Sequence, residues 1–343
     1  MSVEITTVAD DLIVAHDGTQ VERLVGLSPD ADYDVAGQVV RTLQRPDGEL
    51  LCRLGTVNDV HFGEVEAGRV DDHPGGPVRR VEPGATPYPE VMNRAAVAEM
   101  SGADLAAVIV KGDVSTDGTD DEFAMFESIY GAGFGDRLHT VRGNHDAYRG
   151  QQRYEGDQWI ELPGVAVALV DTAVPFKPNG TLSSEQLDWL DDRAAVATTP
   201  VIVMGHHQQW IGAGRTAAEV TPVEHGDEYF GIDPAASDAL AAVIERRPAI
   251  IAYTAGHTHR HRVRTTSGGV PSIEIGCVKD FPGTWAEYRV YETAVLQVVH
   301  RMSSPEALAW SERCRDLYSD FDLNYTKYAL GTLQDRCFTI PTR

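Results

Sequence analysis

Short apolar runs recur along this chain, and from Leu51 onward they stop at polar, chemically loaded loops. "LLCRLGTV" stops at "NDVH", "LAAVIV" at "KGDVSTDG" and "RLHTV" at "RGNHD". "VAVALVD" stops at "TAVPFKPNG", "PVIVMG" at "HHQQ" and "AIIAYTAG" at "HTHRH". Short apolar runs bounded by glycine and polar clusters predict strands. Between some of them lie stretches with helical periodicity: "PEVMNRAAVAEMSG", "DEFAMFESIYG", "SSEQLDWLDDRAAVA" and "DPAASDALAAVIERR". Acidic residues open the second, and "SSEQ" has the form of a capping segment, both signals of a helix start. Strand, loop, helix, strand predicts an α/β or α+β fold with function at the strand ends.

The flanking segments differ in texture. Residues 1–50 predict a short β-rich N-terminal extension, with strands in "DLIVAH", "QVERLVGL" and "YDVAGQVVRTL" and turns at "DGT" and "RPDG". Residues 51–300 form the main domain. Past Gly268, "PSIEIGCV", "TWAEYRVYE" and "AVLQVVHRM" predict further strands. Residues 301–343 form a C-terminal helical and strand extension, with a helix in "PEALAWSERCRDLY" and a final stretch, "YTKYALGTLQDRCFTI", that fits either element. The Gly/Pro-rich connection over 64–90 is long for a compact domain, the mark of a functional lid or an insert.

Composition narrows the function classes. With 343 residues, 42% apolar and 24% charged, the chain has ample material for a globular core. No run approaches the roughly 20 apolar residues of a membrane helix. The start, "MSVEITTVADDLIVAHDGTQ", lacks a basic segment followed by an apolar run, so the expectation is a cytoplasmic protein without a secretory leader. A net charge of −23 argues against binding a nucleic-acid polymer, which takes a basic face. It does not forbid a small anionic substrate, because bound metal ions invert the local field. The four cysteines, Cys52, Cys277, Cys314 and Cys337, form no CxxC pair and suit a reducing compartment. Cys52 and Cys277 lie in apolar runs and are expected to be buried packing residues. The sequence admits a homo-oligomer without deciding for one.

The strand-end loops carry the chemistry. In order they are Asp59-Val60-His61, Gly112-Asp113, Gly143-Asn144-His145-Asp146, Gly205-His206-His207 and Gly256-His257-Thr258-His259. Any one of them is a common loop. Five in order, each after an apolar run and each bearing oxygen or imidazole donors without thiolates, point to divalent zinc, manganese or iron. Two metals about 3.5–4 Å apart need several ligands and a shared carboxylate, more than one loop can supply.

This ordered pattern resembles the calcineurin-like metallophosphoesterase superfamily over Asp59 to His259, and within it the bacterial cyclic nucleotide phosphodiesterases of the class III type. The resemblance implies a four-layer αββα sandwich with a dimetal site where the sheets' loops meet. It implies one ion held by Asp59, His61, Asp113 and His259, a second by Asp113, Asn144, His206 and His257, and Asp113 as the bridge. His145 is left to protonate or stabilise the leaving oxygen, a role suited to an imidazole, which titrates close to neutrality. The metals would lower the pKa of a bound water, making a hydroxide nucleophile, and neutralise phosphoryl charge in an in-line displacement.

Asp146 and His207 are weaker candidates for the substrate side. Asp146 either orients His145 or stabilises the turn; His207 either touches the phosphate or stays behind the metals or in solvent. Trp210, Phe281 and Trp285 are candidates to wall a nucleobase pocket, His73 to close over substrate, and Arg260 and His261 are expected in a solvated strand. "GDVSTDGTDD" lacks the tyrosine that many purple acid phosphatases place after this aspartate. The expected function is a dinuclear metal-dependent phosphodiesterase acting on a small phosphoester, with cyclic nucleotides leading. The rivals are a broad phosphomonoesterase and a catalytically weak metal-binding scaffold.

Overall fold

The computed structural model describes residues 3–70, 76–211, 230–266 and 268–342. It opens with an antiparallel meander, β1 (Glu4–Val8), β2 (Leu12–Asp17) and β3 (Gln20–Val25), and a hairpin of β4 (Asp32–Val35) with β5 (Gln38–Arg41). Two six-stranded sheets follow. The first combines β6 (Leu50–Val57), β7 (Ala107–Lys111) and β8 (Leu138–Val141) with β15 (Thr284–Tyr291), β16 (Ala294–Arg301) and β17 (Phe338–Pro341), in the order β17-β16-β15-β6-β7-β8. The second combines β9 (Gln158–Leu162), β10 (Val165–Leu169), β11 (Val201–Met204), β12 (Ile250–Ala255), β13 (Arg262–Thr265) and β14 (Pro271–Glu274), in the order β13-β14-β12-β11-β10-β9.

The layering follows from which faces are apolar. β7, β10, β11 and β12 are buried at every position, as strands covered on both faces must be. Leu54 and Ile109 of the first sheet share a core with Val167, Ile202 and Ile251 of the second, so the two sheets face each other. Behind the first sheet, Met92 of the helix Tyr88–Ser101, Phe126 of the helix Asp120–Phe126 and Trp310 of the helix Pro305–Arg313 form a second core. Behind the second, Leu190 of the helix Ser184–Val196 and Leu240 and Ile244 of the helix Pro234–Arg246 form a third. The result is the expected αββα sandwich. The capping segment behaves as its sequence implies: the Ser183 hydroxyl accepts from Gln186 N and the Gln186 side chain answers the Ser183 N–H.

The flanking segments are built into this frame. Alternate residues of β16 part company: Val295 and Val299 join the inter-sheet core, while Leu296 and Val298 pack with Val8, Ile13 and Val14 of the N-terminal meander. β17 completes the edge of the first sheet by pairing with β16. Of the two cysteines expected in the core, Cys277 is buried and Cys52 is only half-buried. No described helix is long and apolar enough to cross a membrane.

The connection that matters for chemistry is the direction of the strands. β6, β7 and β8 run parallel in the first sheet. β10, β11, β12 and β14 run parallel in the second. The loops at their carboxyl ends therefore gather on one edge of the sandwich, which is where open α/β sheets hold their ligands.

Candidate metal centre

All five loaded loops leave those carboxyl ends, and three of them turn sharply. Asp59, His61, Asp113, His257 and His259 have φ values of 56°, 52°, 49°, 65° and 55°. They are five of the eleven non-glycine residues with positive φ among the described residues. Left-handed backbone costs an L-residue roughly 1–3 kcal/mol, and such strain collects at functional sites. The residues between the paired donors anchor the turns: Val60 is buried in the helix-side core, and the Thr258 hydroxyl donates to Glu274 Oε2 at 2.9 Å. Gly112, at φ 81°, lets three loops converge, since a Cβ there would come within 2.6 Å of Gly143 N and 2.7 Å of His206 Nδ1. A Cβ on Gly143 would collide with the Asp113 carboxylate.

Asp113 sits at the middle of the cluster. Its Oδ2 lies 3.4 Å from His61 Nε2 and 3.2 Å from His206 Nε2, and its Oδ1 accepts the His145 N–H at 2.9 Å. Asp59 Oδ1 lies 3.4 Å from His259 Nε2. Asn144 Oδ1 lies 3.0 Å from His206 Nε2, while its Nδ2 donates to the Tyr148 hydroxyl at 2.7 Å and so turns the oxygen toward the cluster. Donor atoms of Asp59, His61 and His259 lie within 4.8 Å of one another, as do those of Asp59, Asp113 and His206, and those of His206, His207 and His257.

The donor set fits a pair of divalent ions. Asp59 and Asp113 are buried, and no lysine or arginine among the described residues forms an ion pair with either. A buried charge is paired or holds a metal. Both ring nitrogens of buried His61 lack a hydrogen-bond partner, which leaves a lone pair for coordination. Burial pushes His61 down to about 4, with Lys279 adding to the effect, and burial pushes His257 down to about 3, helped by His206. Neutral imidazole is the form that ligates. Burial opposes protonation of His206 too, but the Asp113 carboxylate raises it to about 9, a sign of how strongly this site calls for positive charge.

The remaining candidates separate. His145 Nδ1 donates to the Thr116 carbonyl at 2.8 Å, and the ring lines the cavity. Asp146 does not touch that ring. Its carboxylate accepts from Gly143 N at 2.8 Å, Val114 N at 3.1 Å, Ser115 N at 2.8 Å and the Ser115 hydroxyl at 2.5 Å. It therefore ties the "GNHD" turn to the Asp113 loop. His207 is fully buried, with Nδ1 2.8 Å from the Thr172 hydroxyl and Nε2 3.2 Å from the Pro178 carbonyl. Arg260 and His261 are buried rather than solvated: Arg260 Nε donates to Glu274 at 2.9 Å, and His261 Nδ1 accepts from Gly276 N at 3.1 Å. Phe281 and Trp285 are core residues, Trp285 stacking on His300 at 4.3 Å, and Trp210 does not line the cavity. His73 lies outside the described residues.

Other groups shape the site without having stood out in the sequence. Asn58 Nδ2 donates to Asp59 Oδ2 at 2.5 Å and to the Ile275 carbonyl at 3.1 Å. The Lys111 carbonyl holds His206 Nδ1 at 2.7 Å, and its buried ammonium donates to Thr254 Oγ1 and the Ala255 carbonyl. A lysine inside an apolar run was the available signal for that one. Lys279 Nζ donates to both Glu64 oxygens, at 2.6 and 2.5 Å, and both residues line the cavity. The cavity measures about 790 Å³ and is lined both by the donor cluster and by residues 318–328 of the C-terminal segment.

Comparison with known proteins agrees with this geometry. The family model described as calcineurin-like phosphoesterase matches residues 53–261. A probable cyclic nucleotide phosphodiesterase of Synechococcus sp. is 23% identical over 49% of this chain and 65% of that protein. A probable glycerophosphodiester phosphodiesterase of Arcobacter nitrofigilis is 23% identical over 45% of this chain and 56% of that protein. The chain thus spans less than two thirds of the length of either relative. A dimetal phosphatase from Danio rerio superposes with a TM-score of 0.55 at 15% identity, over 74% of this chain and 97% of that one, a likeness of fold. With its five strand-end loops gathered around a buried, cation-seeking carboxylate pair, this chain belongs to the calcineurin-like phosphoesterase family.

Proposed function

We propose that this chain hydrolyses small phosphodiesters, cyclic nucleotides foremost, at a dinuclear centre. The observation that carries the reading is Asp113, flanked by His61 and His206 within 3.4 Å and without a lysine or arginine partner among the described residues. Asp59, His61, Asp113 and His259 would hold one ion, and Asp113, Asn144, His206 and His257 the other. When bound, the ions supply a water acidic enough to act as nucleophile at neutral pH and offset charge on the phosphoryl oxygens.

The chain's own residues do the rest. The Asp113 carboxylate fixes the loop that presents His145, through the His145 N–H bond at 2.9 Å. Because His145 Nδ1 donates to Thr116 O, Nε2 is the nitrogen left to face substrate. Protonated there, it delivers a proton to the leaving oxygen as the ester bond breaks. Asp146 acts through position, holding the Gly143 and Ser115 backbones together. Burial of Asp59, Asp113 and His206 keeps water from competing for the donors.

The test compares bis(p-nitrophenyl) phosphate with p-nitrophenyl phosphate on manganese-loaded protein. Higher kcat/KM on the diester is expected. Strong preference for the monoester would replace this reading with a phosphomonoesterase, and no turnover with manganese, iron or zinc would replace it with a metal-binding scaffold.

A further inference from the structure

The cavity has two chemically distinct ends. Its inner end is the donor cluster with Lys279 and Glu64. Much of the remaining lining, its outer side, comes from one stretch of the C-terminal segment, Tyr318, Phe321, Leu323, Tyr325 and Tyr328, with Asp322 the only charged residue of that stretch at the cavity; Arg69, Phe230 and Arg260 line it as well. A phosphoryl group alone occupies a small part of about 790 Å³, a volume in the range that holds a drug-sized ligand. The outer side therefore faces whatever organic group the phosphoryl carries.

That side is a built surface. Tyr325 packs edge-on against Tyr318, with ring centroids 5.1 Å apart, and stacks on Tyr328 at 6.1 Å. The Tyr328 hydroxyl donates to the Thr258 carbonyl at 3.0 Å, one residue from each metal-site histidine of that loop. The Tyr325 hydroxyl donates to Asp280 at 2.9 Å. At the far end, Asp320 N donates to Gly76 O at 3.0 Å and Gly76 N to Asp320 Oδ2 at 3.1 Å, joining the wall to the long connection over 64–90. Tyr318 and Asp322, at φ 62° and 58°, bracket the turn Ser319–Phe321 in left-handed backbone. Together with His61, Asp113, His257 and His259, they make six of the eleven strained non-glycine positions among the described residues that line this one cavity.

We propose that residues 318–328 form the recognition wall for the leaving group, and that the group they select is a flat ring system, a nucleobase, rather than a polyol. Aromatic and apolar side chains offer stacking area to a base and little to glycerol, whose hydroxyls would lose water against them, and the Arg260 guanidinium, 5.0 Å over the Tyr328 ring, is itself a flat group able to stack. The proposal rests on the phosphodiesterase reading and names the substrate class at that same site.

The experiment uses the full-length, manganese-loaded chain and two five-membered cyclic phosphodiesters, adenosine 2′,3′-cyclic phosphate and glycerol 1,2-cyclic phosphate, which share the reacting ring and differ in the base. The expected result is kcat/KM on the order of tenfold or more in favour of the adenosine ester. In Phe321→Ala, and independently in Leu323→Asn, that ratio collapses toward one, mainly through KM, with the melting curve followed by circular dichroism to confirm a folded protein. Calorimetric binding of adenosine 5′-phosphate against glycerol 1-phosphate gives the same comparison without turnover. Equal handling of the two esters and the two monophosphates by the wild type, or a ratio that both variants preserve, overturns the proposal. If neither cyclic ester is cleaved while adenosine 5′-phosphate still binds at least tenfold more tightly and loses that advantage in the variants, the wall stands and the diesterase reading falls.

Discussion

The two sides of the cavity are made in opposite ways. The inner side draws seven candidate donors from five loops, spread from Asp59 to His259, and bends five of them into left-handed backbone. The outer side draws most of its apolar residues from one continuous stretch, Tyr318 to Tyr328, fixed by a few side-chain hydrogen bonds. The difference follows from the task. Coordination demands particular donor atoms at particular distances, so residue types and loop geometry are both tightly constrained. Binding an organic group demands apolar area of the right shape, which many residues can provide.

Substitutions across the two sides should follow that contrast. The largest effect belongs to the inner side. Asp113→Ala is expected to lower kcat/KM by more than about 10³-fold and to reduce bound metal measured by plasma mass spectrometry, because in the proposed centre this carboxylate would serve both ions. Full metal content in that variant would break the inner side's logic. His145→Ala is expected to keep its metal and lose roughly 10²–10⁴-fold in kcat. The loss should be smallest on p-nitrophenyl esters, whose leaving group needs little protonation; an equal loss on alkyl and nitrophenyl esters would remove the proton from the mechanism.

Glu274 joins the two sides. It is buried, accepts from Thr258 and Arg260, and also pairs with Arg262 and Arg264. Burial alone would raise its pKa, but the arginines hold it well below the usual carboxylate range. Its folded-state pKa being depressed, the stability it contributes is present above about pH 4.3, the unfolded value, and is lost as pH falls below it. Glu274→Ala leaves the arginines uncompensated and should cost about 3–5 kcal/mol in urea unfolding. An unchanged midpoint would show that this cluster does not brace the "GHTH" loop. The smallest effect belongs to the wall. Tyr328→Phe removes one hydrogen bond to Thr258 O and should cost about 1 kcal/mol of stability, with metal content unchanged. A loss of metal as large as that of Asp113→Ala would erase the distinction between the two sides.

What could be read along the chain divides at the same line. The donor loops stood out because each followed an apolar strand and ended in glycine, aspartate, asparagine or histidine. Phe281 and Trp285 looked equally suited to a base-binding wall, but their runs fold into the sandwich, where both are buried. "SPEALAWSERCRDLYSDFDLNYTKY" carried no comparable signal, since stacked tyrosines and buried tyrosines have the same local pattern. Arg260 and His261 followed a polar motif and so resembled a solvated strand. They are buried because the C-terminal segment covers them, as the His261 N–H bond to Ala329 O shows.

The sequence by itself determined the strand and helix periodicity, the family, and the residue types able to hold metal, because those depend on local hydrophobic pattern and on donor chemistry. Only the tertiary structure decided that Asp146 clamps two backbones instead of steering His145, that His207 spends both nitrogens on Thr172 and Pro178, and that the C-terminal segment walls the cavity. Each of these is a question of which distant group lies within about 3 Å, the reach of a hydrogen bond, and that distance is set by the packing of sheets and helices rather than by neighbours in the chain.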